Sequence, residues 1–292
     1  MARPVRAMHF AASRRYVAVL LAAVVVLVVV GAYLSGVGRG RGYLLMATTT
    51  STRDTGLLPY LLPKFTGDTG IEVRYVAVGT GQALDAGRRG DVDFVMVHAP
   101  GLEDQFMADG QGRCRNLIMY NRFVIVGPAG DPAGITRSIS GADGFLRIYQ
   151  NASLFESRAD NSGTHNKELG LWAAAGLDPA SFGPWYEKTN QGMGNTLTIA
   201  NEKAAYTLSD DGTWYAREST LPYLRLLFSR DEDVLRNQYS VIPVEPNLHP
   251  GVLFNEAVAF AQWLVSPRGQ GLIGAFTVGG HMIFTPNGVQ AC

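Results

Sequence analysis

The sequence predicts an α/β chain. Short apolar runs with strand character alternate with segments of helical periodicity, and glycine- and hydroxyl-rich turns join them. One long uncharged segment stands apart at the N-terminus, from Tyr16 to Gly38. The chain has 292 residues, 47% of them apolar, enough to bury a core in each of two lobes.

The N-terminal segment comes first. Its centre, Val17 to Val30, is nearly all Val, Leu and Ala, and Arg3, Arg6, Arg14 and Arg15 precede it. An apolar run of about 20 residues is long enough to span a bilayer, and the basic flank should stay cytoplasmic. Residues 1–42 are therefore expected to be a signal or anchor, with an apolar helix over about 16–38. Ala32 to Gly36 is a poor cleavage site and no cysteine follows the run, so an uncleaved transmembrane anchor is the favoured form. The body would then lie outside the cytoplasm, attached to the membrane, or secreted if the helix is cut.

Beyond it, strands are expected at Leu44–Ala47, Ile71–Val78, Val92–Val97, Phe123–Val126, Leu154–Ser157, Leu224–Phe228 and Tyr239–Val244. Helices are expected at Thr55–Phe65, Gln82–Gly87, Leu102–Asp109, Gly141–Gln150, Thr164–Ala175, Thr196–Ala205, Asn255–Val265 and Gly269–Phe276. Strand–helix alternation implies parallel or mixed sheets with ligands at strand carboxyl ends. Asp210-Asp211-Gly212 reads as a turn. Cys114 and Cys292 are the only cysteines, so at most one disulfide is available.

Formal net charge is zero, but residues 1–42 hold six Arg and no acid. Removing them leaves 19 basic against 25 acidic side chains. An acidic body argues against nucleic acid, whose phosphates need clustered Lys and Arg. Any anion site must work through local donors.

Three turns supply such donors. Thr48-Thr49-Thr50-Ser51-Thr52 sits between a strand and a helix, where hydroxyls and backbone N–H groups can meet an anion. Gly79-Thr80-Gly81 opens a second helix and lets backbone approach closely. Arg158-Ala159-Asp160-Asn161-Ser162-Gly163-Thr164 opens a third, with a permanently charged planar fork in Arg158. Together they suggest a tetrahedral oxyanion held by donors. Asp160 either steadies Arg158 or accepts a proton from the ligand, and the sequence leaves both open.

Ser162, His165 and Asp160 do not make an attractive catalytic triad, because they fall within six consecutive residues. The five histidines are scattered, which argues against a metal site. His98 ends an apolar strand and reads as a satisfied interior histidine. Trp172, Trp185, Trp214 and Trp263 read as packing residues.

Ala47 to Thr52 with Thr55-Gly56-Leu57-Leu58, Val76 to Leu84, Gly90 to Asp93 through His98-Ala99-Pro100, Met119 to Pro128, Asp160 to Glu168, Trp185-Tyr186, Gln191 to Gly194 and Ala200 to Lys203 together resemble the tungstate-binding proteins of ABC transporters. The resemblance covers roughly residues 44–285. It implies a type II periplasmic-binding-protein fold of two α/β lobes joined by two crossover strands. Lobe 1 would comprise 43–126 and 240–292, and lobe 2 would comprise 127–239, with crossovers near Gly127 and Tyr239. It also implies a non-enzymatic monomer without cofactor that delivers tungstate, or molybdate, to a permease driven by a separate ATPase subunit. The site carried over is Thr50, Ser51, Thr80, Gly81, Arg158, Ser162, Gly163 and Thr164, with Asp160 behind it. Arg122 departs from the family, where a small polar residue is expected. The alternatives are a phosphate-binding protein of the same superfamily and an anchored oxyanion sensor.

Overall fold

The computed structural model describes residues 42–230 and 233–292. The apolar segment expected to form a helix over 16–38 lies outside the described residues. No helix among the described residues is long and apolar enough to cross a membrane.

The central strand β1 (Tyr43–Thr49) lies parallel to β2 (Glu72–Val78) and β3 (Phe94–Val97). Both faces of β1 are covered, which is why Leu44, Met46 and Ala47 are all buried. On one face, α2 (Leu57–Thr69) packs Leu57, Leu58, Leu61 and Phe65 against Leu44 and Met46. On the other, α3 (Thr80–Arg88) and α4 (Pro100–Ala108) bring Ala83, Leu84 and Phe106 against Ala47, Val95 and Val97. The short α1 (Thr50–Asp54) fills the junction between β1 and α2, and Gly56 makes the bend at φ 80°.

The strand that organises the rest is β4 (Asn116–Pro128), with 13 residues. Its first half, through Arg122, pairs antiparallel with β9 (Arg236–Pro243). Its second half pairs with β7 (Thr207–Asp210) and β8 (Leu224–Phe228). The exchange of partners falls between Arg122 and Phe123, and the Phe123 N–H donates to the Leu235 carbonyl at 2.7 Å. The sheet order from its edge is β10 (Thr285–Val289), β4, β9, β3, β1, β2. One strand therefore belongs to both lobes. The partner exchange on β4 and the start of β9 at Arg236 lie near the two crossovers expected at Gly127 and Tyr239. Apolar patterning finds only the part of β4 after the exchange, because Asn121 and Arg122 interrupt the pattern just before it.

Beyond Arg122, alternate residues of β4 serve opposite faces, as the pleat requires. Phe123 and Ile125 enter a core with Phe145, Phe155, Leu171 and Trp172, supplied by α5 (Gly141–Gln150), β5 (Phe155–Ser157) and α6 (Gly163–Ala174). Val124 and Val126 enter another with Met193, Leu197 and Trp214, supplied by α7 (Met193–Lys203) and α8 (Asp211–Arg217). β5 also pairs in parallel with β6 (Tyr186–Lys188), a strand absent from the sequence reading. So is β7, although all four of its residues are buried. The Asp210–Gly212 turn is in fact a helix start: Asp210 caps α8, accepting from the Thr213 N–H at 2.8 Å and its hydroxyl at 2.7 Å.

The chain end is fastened to the start of β4. Cys114 and Cys292 form a disulfide with Cα atoms 5.9 Å apart across 178 residues. Asn116 accepts from the Ala291 N–H at 2.8 Å. Closing so long a loop removes chain entropy worth about 5 kcal/mol in the loop-closure model, of which proteins usually realise less. Replacing Cys292 by Ser is expected to lower unfolding free energy by about 2–4 kcal/mol. Urea titration of the variant against the oxidised parent measures this.

Candidate functional site

Three strand-to-helix turns meet at one place. At the end of β1, four of the five hydroxyls have separate duties. Thr48 donates to the Met96 carbonyl at 2.8 Å and ties β1 to β3. Thr49 caps α1, accepting from the Thr52 N–H at 3.2 Å. Ser51 is fully buried and its hydroxyl lies 3.0 Å from His98 Nε2. Thr50 is the one whose hydroxyl meets the third turn, accepting from Arg158 Nη2 at 3.4 Å.

The second turn packs on the third. The Thr80 hydroxyl accepts from the Gly163 N–H at 3.0 Å, and the Gly81 N–H donates to the Asn161 carbonyl at 3.3 Å. Glycine is required at 163: a Cβ there would lie 2.7 Å from the His98 carbonyl oxygen. At 81 a Cβ would meet the Asn161 side chain at 2.5 Å.

The third turn leaves β5 and is wound tightly, with Ala159 at φ 48° and Asn161 at φ 54°. Asparagine tolerates this left-handed backbone, whereas alanine pays for it. The result is that Asp160 folds back on its own segment. One carboxylate oxygen accepts from Arg158 Nη2 at 2.6 Å and the other from the Ser162 N–H at 3.2 Å. Asp160 therefore faces Arg158. Ser162 caps α6, its hydroxyl accepting from the His165 N–H at 3.2 Å.

Arg158 is 2% exposed. Its Nη1 donates to the Thr164 hydroxyl at 3.3 Å, and its Nε has no partner among the described residues. Thr50, Thr80 and Thr164 thus each accept one N–H from the protein, and none of their own protons has an acceptor among the described residues. A hydroxyl in that state is set to donate. The place offers a buried guanidinium, three such hydroxyls and the N-terminal turns of α3 and α6, whose dipoles favour negative charge.

Burial shifts the titration of two supporting groups. His98 is buried, and desolvation, reinforced by the Arg158 charge, lowers its pKa from the usual 6.5 to about 4. Behind the third turn, Glu168 accepts from Ser157 at 2.8 Å, Trp172 Nε1 at 3.2 Å and Tyr186 at 2.6 Å. Burial raises its pKa to about 7.

The structure brings Thr50, Thr80, Gly81, Arg158, Gly163 and Thr164 together. It turns the side chains of Ser51 and Ser162 to other partners. Sequence reasoning gave no role to Asn161, to Asn237 or to Gly192, whose Cβ would sit 3.3 Å from the Thr50 hydroxyl. A Gly-x-Gly at a helix start was the available signal for the last.

A model of the PBP superfamily domain matches residues 35–268. The tungstate-binding protein TupA of Peptoclostridium acidaminophilum is 42% identical over 256 residues, spanning 86% of this chain and 88% of that protein. Among solved structures, the tungstate-binding protein TupA from Desulfovibrio alaskensis G20 is 46% identical and superposes with a TM-score of 0.73 over 85% of this chain and 99% of that one. A structure described as the tungstate ABC transporter from Geobacter sulfurreducens is 45% identical, with a TM-score of 0.74 over 80% of this chain and 98% of that one. The mixed α/β architecture, with its long shared strand β4, is that of a type II periplasmic binding protein. The chain belongs to the PBP superfamily, and within it to the family these TupA proteins represent.

Two outcomes follow from this geometry. Unfolded His98 takes up a proton near pH 6.5, whereas folded His98 resists until about 4. Its contribution to stability is therefore complete above pH 6.5 and is lost as pH falls towards 4, by roughly 3 kcal/mol in total. The stability gap between the parent and His98→Gln should shrink between pH 7 and pH 5 in chemical denaturation. The buried carboxylates Glu103, Glu168 and Asp211, with pKa values raised to about 7, act oppositely but equally in both proteins. Separately, Gly163→Ala should push the third turn off His98 and enlarge the radius of gyration in solution scattering.

Proposed function

We propose that this chain binds tungstate between its two lobes outside the cytoplasm and delivers it to an ABC permease driven by a separate ATPase subunit. The carrying observation is the donor set: a buried Arg158 fork ringed by Thr50, Thr80 and Thr164, each already accepting an N–H and left with its proton to give. Tungstate and molybdate are dianions without a proton at neutral pH, so a site made only of donors suits them. Phosphate keeps a proton and benefits from an acceptor. Both oxygens of Asp160, the carboxylate of this turn, are already engaged by Arg158 and Ser162, which favours the unprotonated dianion. Binding by the two lobes of one chain needs no cofactor and no second copy. The proposal also takes residues 1–42 as the export signal or membrane anchor, with the apolar helix over 16–38, and the lobes as 43–122 with 236–292 and 123–235.

Binding would exchange the ion's water for charge-assisted hydrogen bonds, which are shorter and stronger than neutral ones. Gly81 and Gly163 allow the turns to close on it without a side chain between them.

Titration calorimetry in buffer free of phosphate and sulfate tests the reading. Tungstate should bind tightly, molybdate should compete, and phosphate should bind weakly or not at all. Arg158→Ala should weaken tungstate by about 3 kcal/mol or more, since it deletes a charged donor pair worth about 1.5–3 kcal/mol per bond. Asp160→Asn should cost no more than about tenfold. A switch towards sulfate in that variant would place Asp160 on the ligand instead.

A further inference from the structure

His98 sits between the first turn, strand β9 and the start of α6. Its ring is 2% exposed and stacks on Tyr239, with ring centres 4.6 Å apart. Nε2 lies 3.0 Å from both the Thr49 and Ser51 hydroxyls, which belong to the first anion-facing turn. Nδ1 lies 2.8 Å from Asn237 Oδ1 on β9. Asn237 Nδ2 in turn donates to Asn121 Oδ1 on β4 at 2.7 Å, and the two asparagines are register partners next to the residues where β4 changes lobes. Gly163, which opens α6 in the other lobe, rests against the His98 carbonyl and ring.

The proton count follows. Asn237 spends its amide hydrogens on Asn121 and Tyr239, 3.3 Å away, so its Oδ1 is the acceptor and His98 Nδ1 carries the proton. Nε2 is then a bare lone pair that a hydroxyl of Thr49 or Ser51 must fill. One continuous chain of buried hydrogen bonds thus runs from the first turn to both crossover strands, and buried chains of this kind couple their members.

We propose that His98 and Asn237 are positioning residues for anion binding, forming a relay that couples the grip of the Thr49–Ser51 turn to the crossover strands. Neither touches the anion. Fixing the hydroxyls of Thr49 and Ser51 holds the turn that presents Thr50, and the link to Asn121 and Asn237 makes that arrangement depend on how the lobes are set. This inference rests on the tungstate reading above.

A double-mutant cycle on the full chain tests it, with tungstate affinity as the readout. Ser51→Ala and Asn237→Ala are each expected to weaken binding about tenfold. Side chains with no shared partner have multiplicative effects. The relay predicts instead that the double variant is weakened only about tenfold, and that His98→Gln, which retains an acceptor for the hydroxyls and loses the link to Asn237, removes this coupling. Effects that multiply to about a hundredfold overturn the relay. So does a coupling that persists without His98. A second measurement needs no variant: nitrogen-15 shifts of the unsubstituted chain should show His98 protonated on Nδ1, with its Nε2 resonance moving when tungstate is added. A proton on Nε2, or an Nε2 signal indifferent to tungstate, also overturns it. A parent chain that binds no tungstate would refute the ligand assignment itself, and the shift measurement without ligand would still report the tautomer.

Discussion

A guanidinium cannot shed its proton to escape burial, so placing Arg158 inside the molecule obliges its surroundings to provide acceptors. The fold supplies them from two turns: Asp160 and Thr164 from its own segment, and Thr50 from the end of β1. Two of those contacts are long, at 3.3 and 3.4 Å, and Nε has none. The charge is held without being saturated. This is the condition a dianion site needs, because a fully paired arginine would have little left to offer an incoming oxygen.

The left-handed residues around Asp160 serve the same end. By bending the carboxylate back on its own turn, they neutralise Arg158 from behind and keep negative charge off the face where an anion would sit. Glu168, buried beneath and held by three donors, secures the strand and helix that carry the turn. A neutral His98 does the equivalent for the first turn.

Much of this was legible in the sequence because the site is built from residue types that advertise their chemistry. Five hydroxyls in a row, a Gly-Thr-Gly at a helix start and an Arg-x-Asp-x-Ser-Gly-Thr turn are each readable as donors. The duties within the hydroxyl run were not readable, since capping, strand tying and ligand presentation use the same group and only packing separates them. Nor was β4 readable at full length: Asn116, Asn121 and Arg122 interrupt its apolar pattern, yet the two asparagines are buried and their side-chain oxygens accept from partners far along the chain, Ala291 and Asn237. β7 escaped for a like reason. Thr207 and Ser209 look like loop residues, but their hydroxyls donate to backbone carbonyls inside the second lobe. Asn237 could not be singled out at all, because its importance lies in facing Asn121 across 116 residues.

The bond between Cys114 and Cys292 also sets the covalent topology of the molecule. It closes a ring that contains β4, the whole second lobe and β9, with both passages between the lobes inside it. A single backbone cut anywhere within that ring opens the circle without dividing the protein. The two fragments remain one molecule until a reductant separates them, so a nick in a surface loop of the second lobe cannot by itself release half of the binding site.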